Sequence, residues 1–483
     1  MSTPRGRIGP LCLVAVVLTA TACGSRLDES VIARAASGAD TTSTVTTGGT
    51  TGGAVAGGDG GSAGTTGASS TTGGSGTMTH SSGTNSGGTS AGTQAGTGST
   101  RTTSSGGSGS GGGAAQGDTT PLVLGQVGTF SGLAGAQLGP GQAMANIWAR
   151  WTNAHGGVAG HPVKLFSYDD GGSADKAKSI AQDLVESKKV SAIVAGFLPL
   201  TVQAVAGYFD QKRMPVVGGD VSGPDWNAHP YLFPMGSSSE ALTINTAQVM
   251  AQRGQKKIAI FYCAESASCA ASVTGLEKGA KMFGVTIVYK AQVSLAQPDF
   301  TAQCSQANSD GAQAIFFGAG GDDAARGARD CHKIPNFRPG LYTAALAATN
   351  DIAADANLDG LSVTSNVFPW MQSATPAERA YQAAIKQYAP DLSPTASMAA
   401  AWTSGQLLLA AVNAMGSAAR SGPITSQLIT QGLWKLKRET LGGLAPALTF
   451  ATGKPAPHVT CTFSAQVAGG KWTAPLGDKQ LCY

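Results

Sequence analysis

Along residues 121–217, two hydrophobic patterns alternate: continuous apolar runs, and apolar residues at every third or fourth position. Short continuous apolar runs predict buried strands at residues 122–128, 163–168, 190–195 and 215–217. Between these strands, apolar residues recur every three or four positions, as at Ala143, Ile147 and Trp151, which is typical of an amphipathic helix. A strict alternation of strand and helix indicates a parallel sheet covered by helices.

The same alternation begins again near residue 237. The pattern predicts helices at 240–253, 272–283, 300–309 and 323–331, and strands at 257–262, 286–293, 312–317, 341–345 and 361–367. Three more helices (376–388, 397–415 and 425–434) and a β-rich end with a hairpin over 460–472 follow. The chain therefore belongs to the α/β class, with two doubly wound parallel-sheet lobes between which it crosses more than once.

These patterns divide the chain into four parts. We expect a signal peptide at residues 1–22 and a disordered Gly/Ser/Thr-rich tether at 23–118. We expect lobe one to comprise 119–236 and 365–438, and lobe two to comprise 237–364 and 439–483.

The first residues are typical of an exported protein. Arg5 and Arg7 precede an apolar run at 11–18, and small residues lead to Cys23. The segment resembles a bacterial lipoprotein precursor, which implies cleavage before Cys23 and acylation (palmitate) of its thiol. The protein would then be anchored to the extracytoplasmic face of the cell membrane. Plain secretion, with Cys23 left as a free thiol, is the alternative.

The segment after Cys23 consists mainly of Gly, Ser, Thr and Ala and contains no aromatic residue up to residue 118. It cannot bury enough apolar surface to offset the entropy of ordering, so we expect disorder. A chain of this kind reaches roughly 50–60 Å. A passive tether is the simpler interpretation, and an O-glycosylated Thr-rich stalk is the other.

Charge and cysteine content narrow the function further. The formal net charge is +4 with no basic stripe, which argues against nucleic acid as a partner. Six cysteines follow residue 118, an even number that indicates disulfides in an exported chain, although six allow 15 connectivities. Short loops close at least entropic cost, which favours Cys263–Cys269, Cys304–Cys331 and Cys461–Cys482.

Several short motifs, in order, resemble one known family. They include Phe130-Ser-Gly132, Asn153-Ala-His-Gly-Gly-Val-Ala-Gly160, Tyr168-Asp-Asp170 and Asp359-Gly-Leu361. The chain resembles the substrate-binding lipoproteins of branched-chain amino-acid-type ABC transporters, the leucine-binding-protein-like family with the type I periplasmic-binding-protein fold. The resemblance implies a monomer that closes two lobes around a small molecule and delivers it to an ABC permease.

In such lobes, ligands meet the loops at the carboxyl ends of the parallel strands, where helix N-termini point into the cleft. This rule nominates thirteen ligand-binding residues: Phe130, Ser131, Gly132, Phe197, Leu198, Pro199, Asp220 and Ser222 in lobe one, Glu265, Ser266, Gly320 and Asp322 in lobe two, and Trp370 after the returning strand.

Amino-acid binders of the family place hydroxyls after the third strand, where this chain has the apolar loop 197–200. A zwitterion needs both charged ends paired once water leaves, so the loop favours a less polar or larger solute over an amino acid. A branched-chain amino acid stays an alternative.

Catalysis has little support in the sequence. Ser173 and Lys176 match an S-x-x-K pattern, but the partner motifs of serine acyltransferases are missing, and a helix cap explains the serine. We expect no enzyme activity, no cofactor and no metal. The alternative to import is a flytrap receptor domain that senses a ligand and acts on a signalling partner.

Overall fold

A computed structural model describes residues 118–483. The predicted signal peptide, the acylated Cys23 and nearly all of the predicted tether lie outside the described residues. Within the described part, no helix combines the length and apolar character that a membrane crossing requires.

The described chain contains fourteen strands and eleven α-helices. The strands are β1 (Leu122–Gly128), β2 (Val163–Asp169), β3 (Ala192–Gly196), β4 (Val216–Gly219), β5 (Leu232–Phe233), β6 (Lys257–Cys263), β7 (Thr286–Val293), β8 (Ala314–Gly318), β9 (Gly340–Ala344), β10 (Ser362–Ser365), β11 (Lys437–Glu439), β12 (Leu448–Thr449), β13 (Phe463–Ala468) and β14 (Lys471–Thr473). The helices are α1 (Gly135–Ala154), α2 (Ala174–Gln182), α3 (Val202–Lys212), α4 (Ser239–Gln252), α5 (Ala267–Phe283), α6 (Thr301–Ser309), α7 (Gly321–His332), α8 (Asn350–Ala354), α9 (Pro376–Tyr388), α10 (Ala396–Asn413) and α11 (Ser426–Lys435).

The first sheet has the order β2-β1-β3-β4-β5, and all of its pairs are parallel. β1 and β3 are wholly or nearly wholly buried, which explains their continuous apolar sequences. Helices α1 and α10 pack on this sheet and against each other, and their Trp148 and Trp402 side chains are buried. Gly405 permits the close approach, since a Cβ there would lie 2.3 Å from the Trp148 ring.

The second sheet has the order β14-β13-β10-β9-β8-β6-β7. Strands β6 to β10 pair in parallel, and β13 adds antiparallel to β10 with the register Ser365 to Phe463. Helices α4 and α5 cover one face and α6 and α7 the other. The predicted two-lobed α/β fold of doubly wound parallel sheets is confirmed.

Three segments of the chain cross side by side between the lobes. Ser237 N donates to Asn366 O at 3.0 Å, and Ser238 N donates to Val459 O at 3.1 Å. Gly236 allows this contact, because a Cβ at that position would lie 2.0 Å from Asn366 O. The backbone bonds hold the crossings together as one hinge.

The third crossing comes later in the chain than the sequence predicts. Residues 439–458, expected in lobe two, pack on lobe one instead. Phe450 contacts Phe233 of β5 with ring centroids 5.3 Å apart, and Asn227 Nδ2 donates to Ala456 O at 3.0 Å. Phe368 N also donates to Leu444 O. The chain enters lobe two near residue 459 because this apolar stretch completes the core beneath β5.

The six cysteines of the second lobe lie in the three predicted pairs. Their Cα–Cα distances are 5.4 Å for Cys263–Cys269, 4.9 Å for Cys304–Cys331 and 4.1 Å for Cys461–Cys482. The first joins the end of β6 to the first turn of α5, the second joins α6 to α7, and the third closes the segment that contains β13 and β14.

A pair of carboxyl groups, Glu378 of α9 and Asp478, makes the stability of the fold depend on pH. Burial, together with the nearby Asp478 carboxyl, raises the pKa of Glu378 above its ordinary 4.5. A carboxyl with a raised pKa favours folding when protonated, so stability should fall as the pH rises above 4.5. E378Q keeps the acceptor for Thr375 N and should raise Tm at pH 8 by roughly 2 °C, with little change at pH 4. Thermal melts at both pH values measure this effect, and D391N, at an exposed carboxyl, is the control. If the Tm of E378Q and that of the wild type change equally with pH, the prediction is wrong.

Candidate ligand-binding cleft

A cavity of about 600 Å³ lies where the carboxyl ends of strands from both sheets face each other. This is the edge at which doubly wound sheets bind ligands. Lobe one contributes residues after β1, β3 and β4: Gly132, Gln137, Pro199, Leu200, Asp220 and Ser222.

Lobe two contributes more of the lining residues than lobe one, and most of their side chains are small or apolar. It includes Leu242, Thr243 and Thr246 of α4, Ser266, Ser268 and Ser272 around the start of α5, Phe316, Gly318, Gly320 and Asp322 around the start of α7, and Ala344 to Ala347, Thr364 and Asn366. The disulfide Cys263–Cys269 also forms part of this wall.

Two helices of lobe two begin at the cavity. Ser266 caps α5, since its Oγ accepts from Ser268 N at 3.3 Å. At α7, Gly320 N donates to Asp323 Oδ2 at 3.0 Å. These caps use side chains of the chain itself to satisfy backbone groups near each helix start.

Asp220 is a buried carboxyl in the lobe-one wall. It is 3% exposed, and its Oδ1 accepts from Ser222 N at 2.9 Å. Burial raises its pKa, an effect that the Ser222 hydrogen bonds oppose. Asp220 therefore presents a buried carboxyl group to a ligand, and a donor on the ligand can bond to its oxygens.

The cavity has one charged pair, formed by Asp323 and Arg326. Burial raises the pKa of Asp323 to about 6, although hydrogen bonds and the Arg326 charge oppose the rise. Arg326 bonds to Asp323 and also donates to Leu295 O and Gln297 O, each at 3.1 Å. Among the described residues that line the cavity, Arg326 is the sole lysine or arginine, and its Nε and Nη2 groups are bonded within lobe two.

The two lobes touch at the cavity. Ser266 Oγ of lobe two donates to Pro199 O of lobe one at 3.0 Å. Gln137 and Gly320 also meet, because a Cβ on Gly320 would lie 2.9 Å from Gln137 Nε2. Contacts of this kind on the two sides of a cleft favour the closed arrangement.

Paired aspartates hold the lobe-one loops. Asp170 is fully buried and accepts from Thr129 Oγ1 at 2.8 Å, Thr201 Oγ1 at 2.7 Å and Gly172 N at 2.7 Å. The neighbouring Asp169 accepts from Phe130 N at 2.8 Å. These two carboxylates fix the loops after β1, β2 and β3 relative to one another, which positions the lobe-one wall.

The structure brings seven of the thirteen nominated residues to the cavity. They are Gly132, Pro199, Asp220, Ser222, Ser266, Gly320 and Asp322. Leu198 and Glu265 instead line a side cavity of about 90 Å³ that Pro199, Asp220 and Ser266 also border.

The other four nominated residues lie outside both cavities. Phe130 and Phe197 are buried and pack edge to face, with ring centroids 6.0 Å apart. Ser131 is exposed and its hydroxyl donates to Asp169. Trp370 is buried against Trp472, 5.4 Å between centroids. Large aromatic side chains here complete the core beneath the loops instead of facing the cleft.

Sequence reasoning missed the α4 residues and Gln137. The pattern placed 240–253 on a helix, but nothing in it distinguished cavity-lining threonines from core threonines. The described residues include no group of three or more His, Cys, Asp or Glu side chains able to hold a metal ion.

Fold and cleft define a solute-binding protein built from two hinged lobes, and the comparisons agree. Residues 121–471 match the profile of the periplasmic binding protein family. The chain therefore belongs to the periplasmic binding protein family, with the type I fold, a family of extracytoplasmic substrate-binding proteins and not of enzymes. No curated protein sequence matches the chain.

Solved structures with the same fold have different ligands in their descriptions. A leucine-binding protein from Thermotoga maritima is 16% identical, with a TM-score of 0.60 over 73% of this chain and 97% of that one. A fatty acid ABC transporter substrate-binding protein from Thermomonospora curvata is 17% identical, with a TM-score of 0.62 over 74% and 93%. A solute-binding protein from R. palustris in complex with 4-hydroxybenzoate is 20% identical, with a TM-score of 0.61 over 75% and 96%.

Proposed function

We propose that this protein is an extracytoplasmic solute-binding lipoprotein that captures a small molecule between its lobes and delivers it to the permease of an ABC importer. The observation that carries the proposal is the cavity of about 600 Å³ lined by both lobes at the carboxyl ends of their strands. A ligand that contacts both walls at once stabilises the closed arrangement, which is the form a permease would recognise.

The solute is less polar than a zwitterionic amino acid. A ligand carboxylate would need an unpaired cation, and the charge of the cavity's Arg326 is already paired with Asp323 within lobe two. The lobe-one loop contributes Pro199 and Leu200 where amino-acid binders place hydroxyls. Similar structures described with a fatty acid transporter and with 4-hydroxybenzoate support a solute with a large apolar part, although both of those solutes also carry a carboxylate.

A ligand screen on the full-length protein tests this function. Leucine, primary amides, short-chain acids and aromatic acids are added singly, and the melting temperature is recorded. A ligand at a hundred times its Kd stabilises the folded state by about 2.7 kcal/mol, so a hit raises Tm by several degrees. If no small molecule raises Tm, the cleft does not bind solutes and the proposal fails.

Delivery is tested separately. Cells with and without the gene are compared for uptake of the radiolabelled hit from the screen. Uptake should fall in the deletion and return with the wild-type gene. Unchanged uptake beside intact binding would contradict the importer role and favour a sensing receptor.

A further inference from the structure

Behind the cleft, the cavity extends into lobe two between the helix pair α4–α5 and the second sheet. We name this part the chamber and define it by Leu242, Thr243, Thr246, Ser272, Phe316 and Thr364. Thr246 and Phe316 are only 2% exposed, so the chamber reaches into the interior of lobe two.

The chamber owes its form to close helix packing. Helices α4 and α5 approach closely at Gly275 and Gly279, because a Cβ at either position would meet α4 within 2.7 Å. The face of β8 that carries Phe316 packs against these two helices, and Phe316 also lines the cavity.

The hydroxyl groups of the chamber have no proton to give a ligand. Thr243 Oγ1 donates to Glu240 O at 3.1 Å, and Ser272 Oγ donates to Cys269 O at 2.6 Å. Thr246 and Thr364 both donate to Leu242 O, at 2.8 and 2.7 Å, and lie 2.9 Å from each other. A hydrogen-bond acceptor of a ligand placed here would lose its water without gaining a donor, whereas a hydrocarbon would lose nothing.

Polar side chains that can bond to a ligand line the cavity outside the chamber, at its lobe-one end and at the start of α7. They are Asp220, Ser222 and Gln137 in lobe one and Asp322 in lobe two. Both acidic side chains disfavour an anionic ligand head, and the cavity's arginine is held by Asp323 and two carbonyls. A neutral head that both donates and accepts hydrogen bonds suits this end.

From this polarity we infer that the solute is amphipathic, with a neutral amide or hydroxyl head bound near Asp220 and an apolar tail inserted into the chamber of lobe two. The inference rests on the proposed function and specifies the class of solute. The cleft holds the head between the lobes, while the chamber selects the tail.

The test uses isothermal titration calorimetry of the full-length chain with butanamide, hexanamide and octanamide. Burial of each methylene should raise the affinity about fourfold, until the chamber is full. Octanoate should bind at least tenfold more weakly than octanamide. If affinity does not depend on tail length, the claim that the tail lies in the chamber is wrong. If octanoate binds more tightly than octanamide, the claim of a neutral head is wrong.

S272L places a larger side chain in the chamber from a half-buried helical position. It should lower octanamide affinity at least tenfold and change butanamide affinity less than twofold. S272A keeps the space and should match the wild type. S179L is the matched control, since Ser179 also bonds a carbonyl of its own helix but lies on the surface of α2.

The outcomes separate this inference from the proposed function. If leucine or another short solute binds while the amides show no dependence on tail length, the chamber inference fails and the solute-binding function stands. If S272L binds octanamide as the wild type does, the tail lies elsewhere and the inference is overturned. Should S272L fail to fold, the amide series on the wild-type chain decides by itself.

Discussion

Replacement of Gly219 by alanine should abolish ligand binding and lower the free energy of unfolding by about 2–4 kcal/mol. Gly219 has φ +138°, a region that residues with a Cβ rarely adopt, and an added Cβ would lie 1.9 Å from Gly196 O. The register pairs Gly219 with Gly196 of β3, so the clash would part the two strands that carry the lobe-one wall. Asp220 is the next residue and would move with the strand. Urea denaturation and titration with the best solute from the screen measure the two effects.

Gly207→Ala is the matched control for that substitution. Gly207 lies in α3, and nothing lies within 4 Å of a Cβ added there. Alanine is a better helix former than glycine, so this variant should be about 0.5–1 kcal/mol more stable and bind normally. Normal binding by G219A would show that the β3–β4 edge does not position the site.

Removal of the Cys304–Cys331 disulfide should cost more stability than removal of Cys263–Cys269, whereas removal of Cys263–Cys269 should cost more ligand affinity. C263S/C269S opens a loop of sequence separation 6 and should lose about 2 kcal/mol of unfolding free energy, whereas C304S/C331S opens one of 27 and should lose about 3.5 kcal/mol. Only the first pair lines the cavity and closes the turn that holds Ser266 against Pro199 O. Ligand affinity should therefore fall about tenfold for C263S/C269S and less than twofold for C304S/C331S.

The second double variant serves as the control for the first. Cys304 and Cys331 are buried between α6 and α7, away from the cavity. Denaturation midpoints and calorimetric affinities of both variants are measured under the same conditions. If affinity follows stability in both, the Cys263–Cys269 bridge has no special part in positioning Ser266.

The sequence predicted the strands well because buried parallel strands are continuous apolar runs. β1 and β7 have the predicted bounds, and α9 does too. The start of α5 was placed too late, at 272 instead of 267, because residues 267–271 are small and show no hydrophobic period. The cap by Ser266 and the adjacent disulfide are tertiary features that begin the helix there.

The sequence predicted those site residues that lie in loops after parallel strands. It did not predict which side chains tertiary packing would bury or leave facing the cavity. Loops after parallel strands gave Asp220, Ser222 and Gly320, which line the cavity. Trp370 and Phe197 follow strands as well, but these large apolar side chains are buried in the core. The sequence could not predict the chamber, because it depends on the packing of α4 against α5 and on the backbone carbonyls to which the threonine hydroxyls bond.

The antiparallel pair β13–β14 has a consequence for synthesis and export. β10 lies inside the second sheet only because β13 pairs with it, almost a hundred positions further along the chain. Until that late segment leaves the translocation channel, β10 presents bare backbone amides and carbonyls to neighbouring molecules. Maturation of lobe two must therefore wait for export of the strand that covers it, and a fragment that stops before Phe463 should aggregate.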